Sequence, residues 1–140
     1  MDKRRFFSKL YIVLLTCLLI LPCSKDVISA DWIFIGKAEN NGSWYYDAES
    51  INFLPNNIIR VWAKHIPNEA TARRFVYSLT LWEVNCKDNT LNILAVMDYN
   101  YKDEVIYSEK APKPNLDYIV PASIGYVMQK TVCSLKDLKK

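Results

Sequence analysis

Apolar and polar positions alternate along this chain in short runs, and the clearest run lies at residues 74–99, RFVYSLTLWEVNCKDNTLNILAVMDY. Two stretches rich in Val, Leu, Ile, Thr and aromatics flank a polar turn, Lys87, Asp88 and Asn89. Such residues suit a pleated, half-buried surface, and the turn residues close hairpins, so a β-hairpin is predicted here. In its first strand Phe75, Tyr77, Leu79 and Leu81 share one face, while Val76, Trp82 and Val84 share the other with Ser78 and Thr80 between them. Both faces are substantially apolar. A central strand is implied, with one face covered by a helix and the other by sheet curvature or a second subunit. The return strand places Leu91, Ile93, Ala95 and Met97 against Leu94 and Val96.

Other runs extend the sheet. Trp32 to Ala38, the turn Asn40 to Ser43 and the run Trp44 to Tyr46 read as an opening hairpin. A polar bend at 47–50 and a break at Pro55, Asn56 and Asn57 lead to Ile58 to Ile66, where Ile59, Val61 and Ala63 alternate with Arg60, Trp62 and Lys64. That is the period of a strand with one buried face. DYNYKDE reads as a hairpin turn before Val105, Ile106 and Tyr107, and APKPN (111–115) as a loop. Near the end, Ser123 is placed to cap a helix in which Ile124, Val127, Met128 and Val132 recur at helical spacing, with Gln129 and Lys130 outward and the end at Cys133. Leu135 to Lys140 reads as a basic, frayed tail.

The first 30 residues follow another logic. Lys3, Arg4, Arg5 and Lys9 precede the apolar run Leu10 to Leu21, and Ser29 and Ala30 offer a cleavage site. This is the order of a secretory signal peptide, and the run of about 12 falls short of the roughly 20 residues a membrane-spanning helix needs. Cleavage after Ala30 would leave residues 31–140 as one domain. Five of the 18 Lys and Arg and two of the 15 Asp and Glu lie in the leader, so 13 of each remain. The net charge of the domain is then zero, and nothing in its overall balance points to nucleic acid or an acidic membrane surface. Cys17 and Cys23 also fall in the leader; neither Thr16 before the first nor Pro22 before the second fits the small residue that precedes a lipidated cysteine. Cys86 and Cys133 are left, and two cysteines in an exported domain are read as one disulfide.

Candidate chemistry is thin. His65 is the one histidine, at a strand end, with no Ser, Cys or carboxylate at a spacing that makes a triad arguable, and it is read as a surface or packing residue. No enzyme, metal or cofactor is therefore expected. Asp98, Asn100 and Asp103 begin like a calcium loop, but Lys102 occupies the fifth position and no glycine follows. Asn41, Gly42 and Ser43 spell a glycosylation acceptor that matters only in a host using that chemistry. Arg73 and Arg74, closing the polar connection 67–74, read as a solvated strand end or as a contact for an acidic partner. Aromatics on strands are read chiefly as core, although such rings can also form platforms for sugars or bases.

The run SWYYDAESI, the strand ending LWEVNC with DY a dozen residues on, and the closing IVPASIGYVMQKTVC resemble the bacterial surface-adhesin protein E family over most of residues 32–134. The matching positions are Tyr45, Tyr46, Asp47, Ser50, Ile51, Cys86, Pro121, Ser123 and Cys133, all of structural character. The resemblance implies an α+β, mostly β fold: an antiparallel sheet of about six strands, one C-terminal helix packed on it, a disulfide joining the two, and a homodimer. It also implies attachment to a protein partner, such as the host extracellular matrix proteins vitronectin and laminin. The function expected is an exported, protein-binding envelope domain, periplasmic or at the outer surface. The alternative is a periplasmic structural or assembly protein with no adhesive role.

Overall fold

The computed structural model describes residues 29–68, 75–111 and 117–138. Eight strands form one antiparallel sheet: β1 (Trp32–Lys37), β2 (Ser43–Asp47), β3 (Asn52–Phe53), β4 (Ile58–Ile66), β5 (Tyr77–Asn85), β6 (Thr90–Tyr99), β7 (Val105–Lys110) and β8 (Asp117–Tyr118). Their order is β1-β2-β4-β5-β6-β7, with β3 beside β4 and β8 beside β6. Six are full strands and two are two-residue additions, which is the mostly β fold anticipated, and β4 and β5 are its centre. One helix, α1 (Ile124–Leu138), follows the sheet.

Turn chemistry sets the path. Asn56 and Asn57 both adopt positive φ, 62° and 63°, between β3 and β4, and Ile58 O accepts the Leu54 N–H at 2.8 Å. Asparagine tolerates that conformation, and two such residues match the twist of the flanking strands. Between β5 and β6, Asn85 Oδ1 accepts the Lys87 and Asp88 N–H groups at 3.0 and 3.2 Å, and Asn89 has φ 54°. The predicted hairpin turn is therefore closed by side-chain acceptors.

Alternation divides the sheet. Tyr46, Ile59, Val61, Ala63, Trp82 and Val84 point to one side, where Met128 and Val132 of α1 close the core. Ser78 and Thr80 share this buried face with Trp82, and the Trp82 Nε1–H donates to Thr80 Oγ1 at 2.7 Å, so the hydroxyl is satisfied. The helix covers this face, as expected; on the other, Tyr77, Leu79 and Leu81 are half-buried and Asn92, opposite Glu83, is buried.

Two expectations are corrected. The return strand does not keep one phase: Leu91 and Ile93 face Val84 and Trp82, but Ala95 and Met97 face Leu81 and Leu79, because the register shifts between Leu81 and Trp82. One extra residue, Leu94, absorbs that shift and turns the alternation over. The helix also continues past Cys133 to Leu138, and Gln129 lies buried rather than outward, its Nε2 donating to Asn89 Oδ1. Ser123 caps as predicted, with Oγ accepting the Tyr126 N–H at 3.2 Å and donating to Val120 O at 2.7 Å. Pro121 lies in the turn just before it. The disulfide joins Cys86, just past β5, to Cys133 within α1, with their Cα atoms 5.8 Å apart.

Candidate functional site

The uncovered face of the sheet carries the residues that alternate with the core. Phe34 on β1, Tyr45 on β2, Lys64 on β4, Leu79 on β5 and Met97 on β6 form one row of ladder partners. Trp32, Trp62, Tyr77 and Tyr99 lie in the neighbouring rows of the same face, and all four are half-buried. Phe34 meets Tyr45 edge-on at 5.4 Å, and Tyr77 stacks on Tyr99 at 4.6 Å. At the middle, the Lys64 ammonium sits 4.5 Å from the Tyr77 ring centroid and 5.6 Å from that of Trp32. Ring faces attract a cation, so two of them hold Lys64 without a carboxylate. The one ion pair among the described residues, Arg60 with Glu83 at 2.8 Å, lies further along this face. On β1, β2, β4, β5 and β6, six aromatics thus lie on the open side and three, Trp44, Tyr46 and Trp82, on the core side. On β4 the alternation of Ile59, Val61 and Ala63 with Arg60, Trp62 and Lys64 was the legible sign, whereas β5, apolar on both faces, gives none of which face the helix covers.

On the core side a second polar row runs Trp44, His65, Ser78, Asp98 and Tyr107 across five strands. His65 stacks on Trp44 at 4.5 Å, and its Nε2 is buried under Gly42 with no hydrogen-bond partner. Burial lowers its pKa below the ordinary 6.5, partly opposed by the charge of Asp98. The Ser78 hydroxyl donates to Asp98 Oδ1, not to the imidazole. Serine lies between the acid and the base, so this is not the relay in which an imidazole takes a hydroxyl proton. His65 is the packing residue expected.

Three rim features complete the surface. Strand β7 forms one edge of the sheet and is exposed throughout, with Val105 and Ile106 each 50% and Tyr107 48% accessible. Its turn is held by Asn100 Oδ1, which accepts the Lys102 and Glu104 N–H groups at 2.8 and 3.1 Å, while Asp103 accepts the Tyr77 hydroxyl at 3.1 Å. The side chains considered for calcium are thus spent on the hairpin, and no group of three or more potential ligands for a metal occurs among the described residues. Gly36, Lys37 and Asn40 from the first hairpin and Ser123, Ile124 and Val127 from α1 line an open cleft of about 520 Å³. Arg73 and Arg74 lie outside the described residues.

The motif residues are dispersed by this geometry. Tyr45 faces the open side and Tyr46 the core. Asp47 Oδ1 accepts the Asp31 and Glu49 N–H groups at 2.9 and 3.1 Å, and Ser50 Oγ accepts the Trp62 N–H at 2.9 Å. These contacts tie β2 to its neighbours. The profile of surface-adhesin protein E matches residues 32–134, nearly the whole described domain.

The chain belongs to the surface-adhesin protein E family.

Solved structures of Haemophilus influenzae protein E are similar in fold. One crystal form is 16% identical over 77% of this chain and 91% of that one, with a TM-score of 0.54. A structure from a non-typeable strain is 20% identical over 79% of each chain, with a TM-score of 0.51. No curated protein matches. At these identities the shared fold is what carries over to this family member, and surface residues such as Lys64 must be read on their own. No helix among the described residues is long and apolar enough to cross a membrane.

Proposed function

We propose that this protein E family member is an exported bacterial domain that attaches to another protein, of the extracellular matrix class, through its loops and the β7 edge of its sheet, without catalysing a reaction. One observation carries the reading. Strand β7 pairs with β6 on one side and with no described strand on the other, with Val105, Ile106 and Tyr107 half exposed on it, and only Glu109 and Lys110 at its far end guard it with charge. An extended segment of a partner can add to such an edge, with backbone bonds supplying affinity and alternate side chains supplying selectivity. The leader expected at residues 1–30 supports export, and membership of a surface-adhesin family supports display.

The test has two parts. Protease treatment of intact cells should cleave the protein if it is displayed, and immobilised matrix proteins should bind it saturably. Within that assay Ile106→Glu should weaken binding, and the pair Arg73→Ala with Arg74→Ala tests the basic contact. Protection from protease together with no saturable binding would leave the second reading, a periplasmic assembly component. That reading is favoured by the same edge, since β7 could pair with a second copy, and sedimentation at high protein concentration would detect the dimer.

A further inference from the structure

We propose that the open face of the sheet is a receptor for an acidic glycan, a chain of sulfated sugars, with Lys64 as the anion contact and Trp32, Tyr45 and Trp62 as the platforms. This inference rests on the reading above only in requiring that the face meet the outside medium.

Lys64 Nζ has three donors and two ring faces around it, but no carboxylate and no hydrogen-bond acceptor among the described residues. The described carboxylates on or beside this face hydrogen-bond to other groups: Glu83 to Arg60, Asp47 to two backbone N–H groups, and Asp103 to the Tyr77 hydroxyl. Lys110, opposite Ala95, and Lys37, opposite Ser43, add two exposed cations to the margins of this face. The face therefore carries at its middle a cation that no described carboxylate pairs with. An anion delivered there gains charge-assisted hydrogen bonds from donors already held in place by the rings.

Shape narrows the choice of anion. The row from Phe34 to Met97 crosses five strands, and four spacings of about 4.8 Å make it roughly 19 Å wide. It is a broad surface set with rings rather than a pocket. The C–H faces of sugar rings carry slight positive charge and suit the negative faces of aromatic rings, while a sulfate on the same sugar reaches the lysine. A second copy of this chain fits poorly. Two such faces brought together would desolvate two Lys64 ammoniums that no described carboxylate pairs with, and burying unpaired charge is costly.

The test titrates the purified, disulfide-bonded protein, in the form its host exports, with a heparin-derived octasaccharide, its desulfated counterpart and polyglutamate of matched charge. Tryptophan fluorescence and calorimetry read the binding. The sulfated sugar should bind saturably and more weakly as salt rises, the other two at least about tenfold more weakly, on the scale of a lost charged hydrogen bond. Lys64→Gln and Trp62→Ala should each cost at least about tenfold in Kd, while Lys64→Arg retains binding and Lys87→Gln, at a distant turn, leaves it unchanged. Unfolding midpoints close to wild type for Lys64→Gln show that the fold is intact. No saturable binding, equal binding of polyglutamate, unchanged affinity in Lys64→Gln, or a dimer that Trp62→Ala dissociates would each overturn the proposal. Matrix proteins stripped of their glycans separate the two readings: their attachment reports on β7 and the loops, and the octasaccharide reports on Lys64.

Discussion

At the scale of single residues, the structure concentrates tension around His65. A Cβ on Gly42 would lie 2.4 Å from His65 Nε2, and the imidazole is backed by Trp44, so it cannot easily retreat. Gly42→Ala should cost about 1 to 3 kcal/mol in urea unfolding, as overpacking does, and His65→Ala in the same chain should recover part of it. The histidine also couples folding to pH. Its pKa is lowered in the folded state by burial, so below the ordinary 6.5 the unfolded chain binds more protons than the folded one. Stability is then unpenalised above 6.5, declines as pH falls from 6.5 towards the lowered value, and stops declining below it. His65→Phe keeps a ring on Trp44 and removes the proton site, so urea midpoints measured across that window should flatten. Asn92 is the other strained residue, 1% exposed with neither Nδ2 nor Oδ1 reached by a protein group. Leucine has a similar volume and no polar atoms to strand, so Asn92→Leu should stabilise the fold by about 1 kcal/mol.

At the scale of elements, the cap on α1 gives the clearest expectation. Ser123→Ala removes the acceptor for the Tyr126 N–H, and should lower the unfolding free energy by about 1 kcal/mol, whereas Ser123→Asp keeps an acceptor and adds a charge favourable to the helix start. That cap was legible because a serine ahead of an apolar run at helical spacing has few other uses. Strands β1, β2, β4 and β5 and the Asn turns were legible for the same kind of reason, since period two and positive-φ residues leave marks in composition. Three features left none. The bulge at Leu94 involves no glycine or proline, so the alternation simply changes phase between Ile93 and Ala95. The last turns of α1 carry no breaker, and the run SLKDLKK at 134–140 resembles a basic tail as much as a helix end. The third is the choice of face on β5: Tyr77, Leu79 and Leu81 are as apolar as Trp82 and Val84, and only the docking of Met128 and Val132 decides which set is covered. Lys64 was therefore visible as a strand residue but not as a cation held between rings.

At the scale of the whole molecule, a core on one side of the sheet makes the attachment of α1 decisive. Among the described residues the buried apolar set comprises eight, of which Met128 and Val132 come from the helix, with Ile124, Cys133 and Leu135 packed partly buried against it. The Cys86–Cys133 bond adds a covalent tie to that contact. It closes a loop of 47 residues, worth about 4 kcal/mol in the chain-entropy account, against a net stability on the order of 5 to 15 kcal/mol for a domain. Replacing both cysteines by serine should therefore lower the unfolding free energy by about 4 kcal/mol. Ile59, Val61 and Val84 lie under the helix, so an apolar dye such as ANS should bind the variant at denaturant concentrations where the wild type stays closed. A drop of less than about 1 kcal/mol would mean that packing of Met128 and Val132 holds the helix unaided. A drop without dye binding would mean that sheet and helix are lost together, one cooperative unit stapled rather than two elements joined.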